Sequence, residues 1–361
     1  MNMKLVIGLV IFAAIFLIWK FFFKKKEDNL SAYVTASGAT LIFQSFPDWS
    51  DTLFQTLVNK NYSNGTNYTS LIIGICLLLL GIYLQFEFRK KIYILNFFGN
   101  DKKRIRDKKV LKKLKYSDLI VRERELDVVR ILGTGNNMNE QKAKYICEEI
   151  KEKTETFIYE SSESKRGFTG MASIPLICLA GTYFASNEVD VYFEYDRYNK
   201  VYNKLESRKF SRPLYPKINV NKSYASKSEF EEVIITVSTT AEINKKDLVQ
   251  FGKIPVVEIK VNSAKDNTIS TYNQLMKYAL EISEEIERVK QQNGVNTIHL
   301  VMATQSCLVL EIGRHIAMNR NRIPTVIVYH YNAANKIRYP FGIIVTEQNK
   351  GKLIMSKERS F

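Results

Sequence analysis

The sequence predicts an α/β fold in which two repeated strand–turn–helix–strand units follow two transmembrane helices. Three observations predict it. Asn296 to Tyr331 reads as one such unit, and Phe168 to Tyr195 repeats its order of features. Two apolar runs, Leu5 to Phe23 and Leu71 to Leu84, stand ahead of both.

Ile298 to Met302 is short and apolar and ends in a polar break, which is the pattern of a buried strand. Ala303 to Ser306 turn the chain. Leu308, Leu310, Ile312 and Ile316 continue as a helix, and Thr325 to Tyr331 is a second strand. This is the parallel βαβ pattern. The turn places Thr304 and Ser306 at a helix start, where free N–H groups and the dipole favour an anion such as phosphate.

In the earlier block, Phe168-Thr169-Gly170-Met171-Ala172-Ser173 precedes a small-residue helix with Ala180 and Gly181. Val191-Tyr192-Phe193-Glu194-Tyr195 follows. Met171-Ala172-Ser173 matches Met302-Ala303-Thr304, a separation of 303 − 172 = 131 residues. Gly181 matches Gly313, and Tyr195 matches Tyr331. The order is kept twice, so an internal duplication is expected.

These residues resemble the two halves of a SAVED domain, the sensor module of cyclic-oligonucleotide-based antiphage signalling (CBASS). The resemblance covers about Asp127 to Val345. It implies two fused CARF-like (Rossmann-like) units, 127–216 and 217–361, with Pro213 and Pro216 at their boundary.

The remaining composition fits that frame. A chain of 361 residues has room for a double domain, and its net charge of +16 points to an anionic partner. Cys76, Cys147, Cys178 and Cys307 sit singly, which reads as buried thiols in a reducing compartment. His299, His315 and His330 show no zinc spacing, so no metal site is expected. No cofactor motif stands out. Gly133-x-Gly135 invites a dinucleotide reading, but Met138 occupies the third glycine position.

Along the chain, residues 4–23 read as a first span, at ~20 residues per crossing. Residues 24–69 are too polar to span and read as an extracytoplasmic loop. Residues 70–88 read as a second span. In it Gly74 and Gly81 lie on one face, which serves close helix contact, although glycine is also common in membrane helices. Residues 89–126 read as a basic juxtamembrane linker carrying Lys102 to Lys115. Its charge places the sensor in the cytoplasm, beside the inner membrane. Lys24 to Lys26 then fall on the outer side, against the same rule.

Within the first half, Val128 to Leu132 read as a strand, Asn139 to Lys153 as a helix and Phe157 to Tyr159 as a strand. In the second half, Glu232 to Val237 and Pro255 to Val261 read as strands. A helix runs from about Thr268 to Lys290.

Strands repeatedly end in small polar clusters, and in open α/β sheets ligands bind beyond those ends. The candidate ligand-binding residues are Thr169, Ser173, Tyr195, Arg197, Ser238, Thr239, Thr304, Gln305, Ser306 and Tyr331. Any one cluster alone reads as a helix cap or turn; their recurrence in both halves points to a ligand. No catalytic residue is expected. Cys307 at a helix start lacks a base.

The resemblance implies a cyclic di- or trinucleotide as ligand, made by a nucleotidyltransferase that this chain meets only through its product. It also implies homo-oligomers on ligand binding, and membrane segments that then disrupt the bilayer. The alternative is a membrane-tethered CARF-like ring nuclease that degrades the signal. A third class is a nucleic-acid binder acting through Lys102 to Lys115.

Overall fold

The structure is a computed structural model that describes residues 29–45, 68–89, 91–99, 120–132, 138–196, 199–206, 215–224, 228–347 and 349–356. They fall into two compact units, one holding the first two helices and the other extending from Ile92 onward.

The first unit is an antiparallel helix pair, α1 (Asn29–Gln44) and α2 (Tyr68–Arg89). Glycines set their separation. A Cβ on Gly38 would lie 2.7 Å from the Gly74 carbonyl oxygen, and one on Gly74 would lie 2.8 Å from the Ile42 nitrogen. A Cβ on Gly81 would lie 2.8 Å from the Thr35 nitrogen. Gly74 and Gly81 thus face the partner helix, as their spacing suggested. α1 lies in the stretch read as a loop. Its small residues give no apolar stripe to read, yet they let the backbones approach. Its hydroxyls also stay inside the helix, Thr40 donating to the Ala36 carbonyl at 2.9 Å and Ser45 to Leu41 at 2.6 Å.

Among the described residues, no helix is long and apolar enough to cross a membrane. The reading of 70–88 as a span is therefore not supported. The apolar part, Leu71 to Leu84, covers ~21 Å at 1.5 Å per residue, short of the ~30 Å hydrocarbon core. Thr69, Ser70, Gln85 and Glu87 flank it with polar groups. Residues 4–23, the other expected span, lie outside the described residues, as does the basic run from Lys102 to Lys115. On α2, Ile72, Ile73, Leu79 and Tyr83 are exposed.

The second unit contains two sheets. The first has the order β2-β1-β3-β4-β5, with β1 (Lys91–Phe98), β2 (Ile120–Asp127), β3 (Lys165–Met171), β4 (Val191–Asp196) and β5 (Val201–Lys204). β1 pairs parallel with β3, and β3 parallel with β4. The stretch read as a linker therefore supplies two strands. Ile92, Ile94, Leu95, Phe97 and Phe98 are buried, but the lysines and arginines around them masked the run. β2 carries four consecutive charged residues, Arg122 to Glu125, so it shows no apolar alternation to read.

Two local readings also change. Val129–Leu132 is a short helical turn, α3, whose first N–H is held by the Asp127 carboxylate at 3.1 Å. Phe157 lies in α4 (Glu140–Glu160), capped by Asn139. It continues the buried face of Ala143, Ile146, Ile150 and Thr154 at helical spacing, so no strand forms there. The Gly133–Asn136 segment lies outside the described residues.

The second sheet has the order β12-β11-β10-β9-β7-β8-β6. Its parallel centre is β7 (Glu232–Ser238), β8 (Val256–Val261), β9 (Thr297–Ala303) and β10 (Thr325–His330). β6 (Ile218–Lys222), β11 (Phe341–Ile344) and β12 (Leu353–Met355) add antiparallel edges. Between β8 and β9 runs α6 (Tyr272–Asn293), capped by Thr271 and ended by Gly294 in the left-handed region.

The helices after β3 and β9, α5 (Ile174–Phe184) and α7 (Ser306–Met318), pack directly on each other. A Cβ on Gly181 would strike the Leu310 carbonyl oxygen, and one on Gly313 would strike that of Cys178. The contact is reciprocal, each glycine meeting the carbonyl three residues before the other, so a pseudo-twofold relates the helices. The match of Gly181 with Gly313 is a separation of 313 − 181 = 132. The helix caps agree: Ser173 (φ −64°, ψ 143°) and Gln305 (φ −69°, ψ 150°) are also 305 − 173 = 132 apart. The turn alignment therefore shifts by one residue, and Ser173 corresponds to Gln305 rather than Thr304. Gly167 pairs with Val191, and its equivalent His299 pairs with Ile327. Tyr195 and Tyr331 each lie four residues further on, so their correspondence stands.

Candidate functional site

The parallel strands of each sheet end together, and the polar residues singled out in the sequence lie at those ends. On the second sheet, Thr239 and Thr304 follow the adjacent strands β7 and β9. Their hydroxyls are 2.6 Å apart. Thr239 and Thr240 both donate their N–H to the Ala303 carbonyl at 3.0 Å, which clamps the two turns together. Ser238 is buried beside them.

Gln305 and Ser306 are engaged internally. The Gln305 side chain accepts from the Ile269 N–H at 2.6 Å and donates to the Ile269 carbonyl at 3.1 Å. It thereby holds the loop after β8. Ser306 donates its hydroxyl to Glu194 at 2.9 Å, and the Cys307 N–H donates to the same carboxylate oxygen at 2.6 Å. Glu194 comes from β4 of the other sheet. The anion that a helix start attracts is here supplied by the protein. Sequence reasoning quoted Glu194 but gave it no role; its signal was an acidic residue inside an otherwise apolar-aromatic strand.

A second seam crosses the halves below. Tyr192, two residues before Glu194, donates to buried Glu311 of α7, which pairs with Arg314 at 2.9 Å. Burial lifts the Glu311 carboxyl against the pull of Arg314. Burial likewise lifts Glu194 above the ordinary 4.5, against the bonds from Cys307 and Ser306. A carboxyl raised in the fold binds more protons folded than unfolded. Stability therefore falls as pH rises from 4.5 through the raised value. Glu194→Gln should flatten part of this fall and leave the melting temperature at neutral pH equal or higher. Melting curves from roughly pH 4 to 8 check this. A strong loss at pH 7 would mean that the charge itself holds the Cys307 N–H.

On the first sheet, Thr169 is 1% exposed, and its hydroxyl and that of Ser173 are buried with no hydrogen-bond partner among the described residues. Each such group costs ~1–3 kcal/mol, so the edge carries unused donors. Tyr195 packs edge-on against Tyr202 at 5.1 Å, and Tyr331 leans on Tyr339 at 5.4 Å while 43% exposed. Arg197 lies outside the described residues.

Cys307 is fully buried, and burial, followed by the Glu194 charge, pushes its thiol well up. A nucleophile needs the opposite shift. Among the described residues, no group of His, Cys, Asp or Glu is placed to hold a metal ion.

The comparisons bear on a chain of this architecture. In solved structures it is similar to the Acinetobacter baumannii Cap4 SAVED/CARF-domain containing receptor with the cyclic trinucleotide 2'3'3'-cAAA. The TM-score is 0.47 at 16% identity, over 78% of this chain and 56% of that chain. The same receptor with 3'3'3'-cAAA gives 0.47 at 15% identity, over 78% and 56%. The receptor described without a ligand gives 0.45 at 15%, over 90% and 66%. The chain thus spans less than two thirds of the length of these receptors. No curated protein matches it. Residues 150–345, more than half of the 361, match the family model described as "SMODS-associated and fused to various effectors sensor domain". The chain belongs to the SAVED family.

Proposed function

We propose that this chain is the sensor of an antiphage signalling system and binds a cyclic di- or trinucleotide at the carboxyl ends of its two sheets. The observation that carries the reading is the duplication within a sensor family. Each half brings hydroxyls and a corresponding tyrosine to the same edge, Thr169, Ser173 and Tyr195 in one, Thr239, Thr304 and Tyr331 in the other. Hydroxyls suit phosphates, and tyrosine rings suit stacked bases. The net charge of +16 favours such an anion.

In this reading the sensor acts at the inner membrane. Two features support that: the apolar run Leu5 to Phe23, and the exposed apolar face of α2, whose opposite side is packed on α1. Ligand binding favours an assembled state over the monomer, because only a difference in affinity between states shifts a population. The chain acts by binding, without chemistry on the signal.

The test is calorimetric titration of the full chain with a panel of cyclic di- and trinucleotides, with the products analysed afterwards. Saturable binding with intact ligand supports the sensor; linear products would make it a ring nuclease.

Truncation checks the division of labour. Removal of residues 1–88 should leave ligand binding intact and abolish toxicity in cells that make the signal. Removal of 1–126 also deletes β1, a buried strand paired with β3, and should leave no folded sensor. Circular dichroism of the two truncations separates these outcomes.

A further inference from the structure

The charge at the ligand edge does not lie where a helix start would put it. Glu194 already fills the start of α7, taking the Ser306 hydroxyl and the Cys307 N–H. A cyclic oligonucleotide brings one negative phosphate per nucleotide to this edge, and charge-assisted contacts are the strong ones. A cation must therefore come from another element.

The loop over residues 262–271 delivers one. Lys265 donates its N–H to the Thr239 carbonyl at 3.1 Å, directly beside the Thr239–Thr304 hydroxyl pair. The Thr268 hydroxyl donates to the Lys265 carbonyl at 2.6 Å, closing the loop on itself. Gln305 grips Ile269 from both sides, and Asn267 donates to Asp196 of β4 at 3.2 Å. Ser263 and Asn267 hold left-handed φ angles of 68° and 58°, conformations that persist only where the surroundings fix them. The backbone of this loop is thus held at several points, while the Lys265 side chain is exposed. Lys265 thus stands, by its backbone, beside the hydroxyl pair, with its side chain in solvent.

We propose that Lys265 receives a ligand phosphate at the edge of the second sheet, in place of the α7 start that Glu194 occupies. This rests on the reading of the chain as a cyclic-nucleotide sensor.

The experiment uses the full chain and 3'3'3'-cyclic triadenylate, together with any panel member the wild type binds more tightly. Dissociation constants are measured across a salt series for wild type, Lys265→Gln and Lys265→Arg. Lys265→Gln should bind about 10–100-fold more weakly, the loss of one charge-assisted contact. Its affinity should also fall less steeply with rising salt, because one screened charge pair is gone. Lys265→Arg should stay within about threefold of wild type, since it keeps the charge. The melting temperatures should agree, because the anchoring bonds are to the backbone. Wild-type affinity and salt slope in Lys265→Gln would overturn the assignment while leaving the sensor reading intact. A wild type that binds no member of the panel would overturn both.

Discussion

Replacing Gly313 with alanine should destabilise the sensor unit by ~1–3 kcal/mol or more, the range for forcing a methyl into a packed core. In an ordinary helix interior the same change stabilises by ~0.5–1 kcal/mol, so the sign of the effect is diagnostic. The new Cβ would strike the Cys178 carbonyl oxygen, a backbone atom that no rotamer change can move. Gly181→Ala should behave alike, since its Cβ would strike the Leu310 carbonyl. The two changes should not add, because either one already separates α5 from α7. Urea unfolding of the single and double variants reads this out. Stabilisation by either alanine would contradict the close crossing.

Glu311→Ala should cost ~3–5 kcal/mol, the usual cost of breaking a buried ion pair. Arg314 is 7% exposed and would lose its carboxylate, and the Tyr192 hydroxyl would lose its acceptor. Replacing the whole network by Tyr192→Phe, Glu311→Leu and Arg314→Met should recover much of the loss, because apolar groups of similar size need no partner. The comparison of single and triple variants in chemical unfolding separates a buried network that matters through its completeness from one whose charges themselves add stability. If Glu311→Ala unfolds at the wild-type midpoint, the seam between the halves does not hold them.

The βαβ unit from Ile298 to His330 was legible because its strands are continuous apolar runs and its turn is small and polar. The duplication was legible through Gly181, Gly313, Tyr195 and Tyr331. Its register was not, since Met-Ala pairs two turns that differ by one residue; only the reciprocal glycine contact fixes the offset. The first sheet was half hidden. β1 holds the apolar residues Ile92 to Leu95, Phe97 and Phe98, but it opens on Lys91 directly after Arg89 and Lys90 and precedes the basic run, so charge dominated the reading. α1 escaped because glycine-mediated packing leaves no periodic apolar stripe. At the site, residue types and strand ends could be read from sequence. The pairing of Glu194 with Ser306 and Cys307 could not, because it joins residues more than a hundred positions apart across the two sheets.

Amide hydrogen exchange of the full chain, with and without 3'3'3'-cyclic triadenylate or the tightest panel member, tests the central claim most directly. The account predicts ligand-dependent protection at both edges together: around Thr169 to Ser173 and Tyr195, around Thr239 and Lys265, and around Thr304 and Tyr331. Protection confined to the basic stretch from Lys102 to Lys115, or to one sheet alone, would contradict a ligand held across the duplicated strand ends.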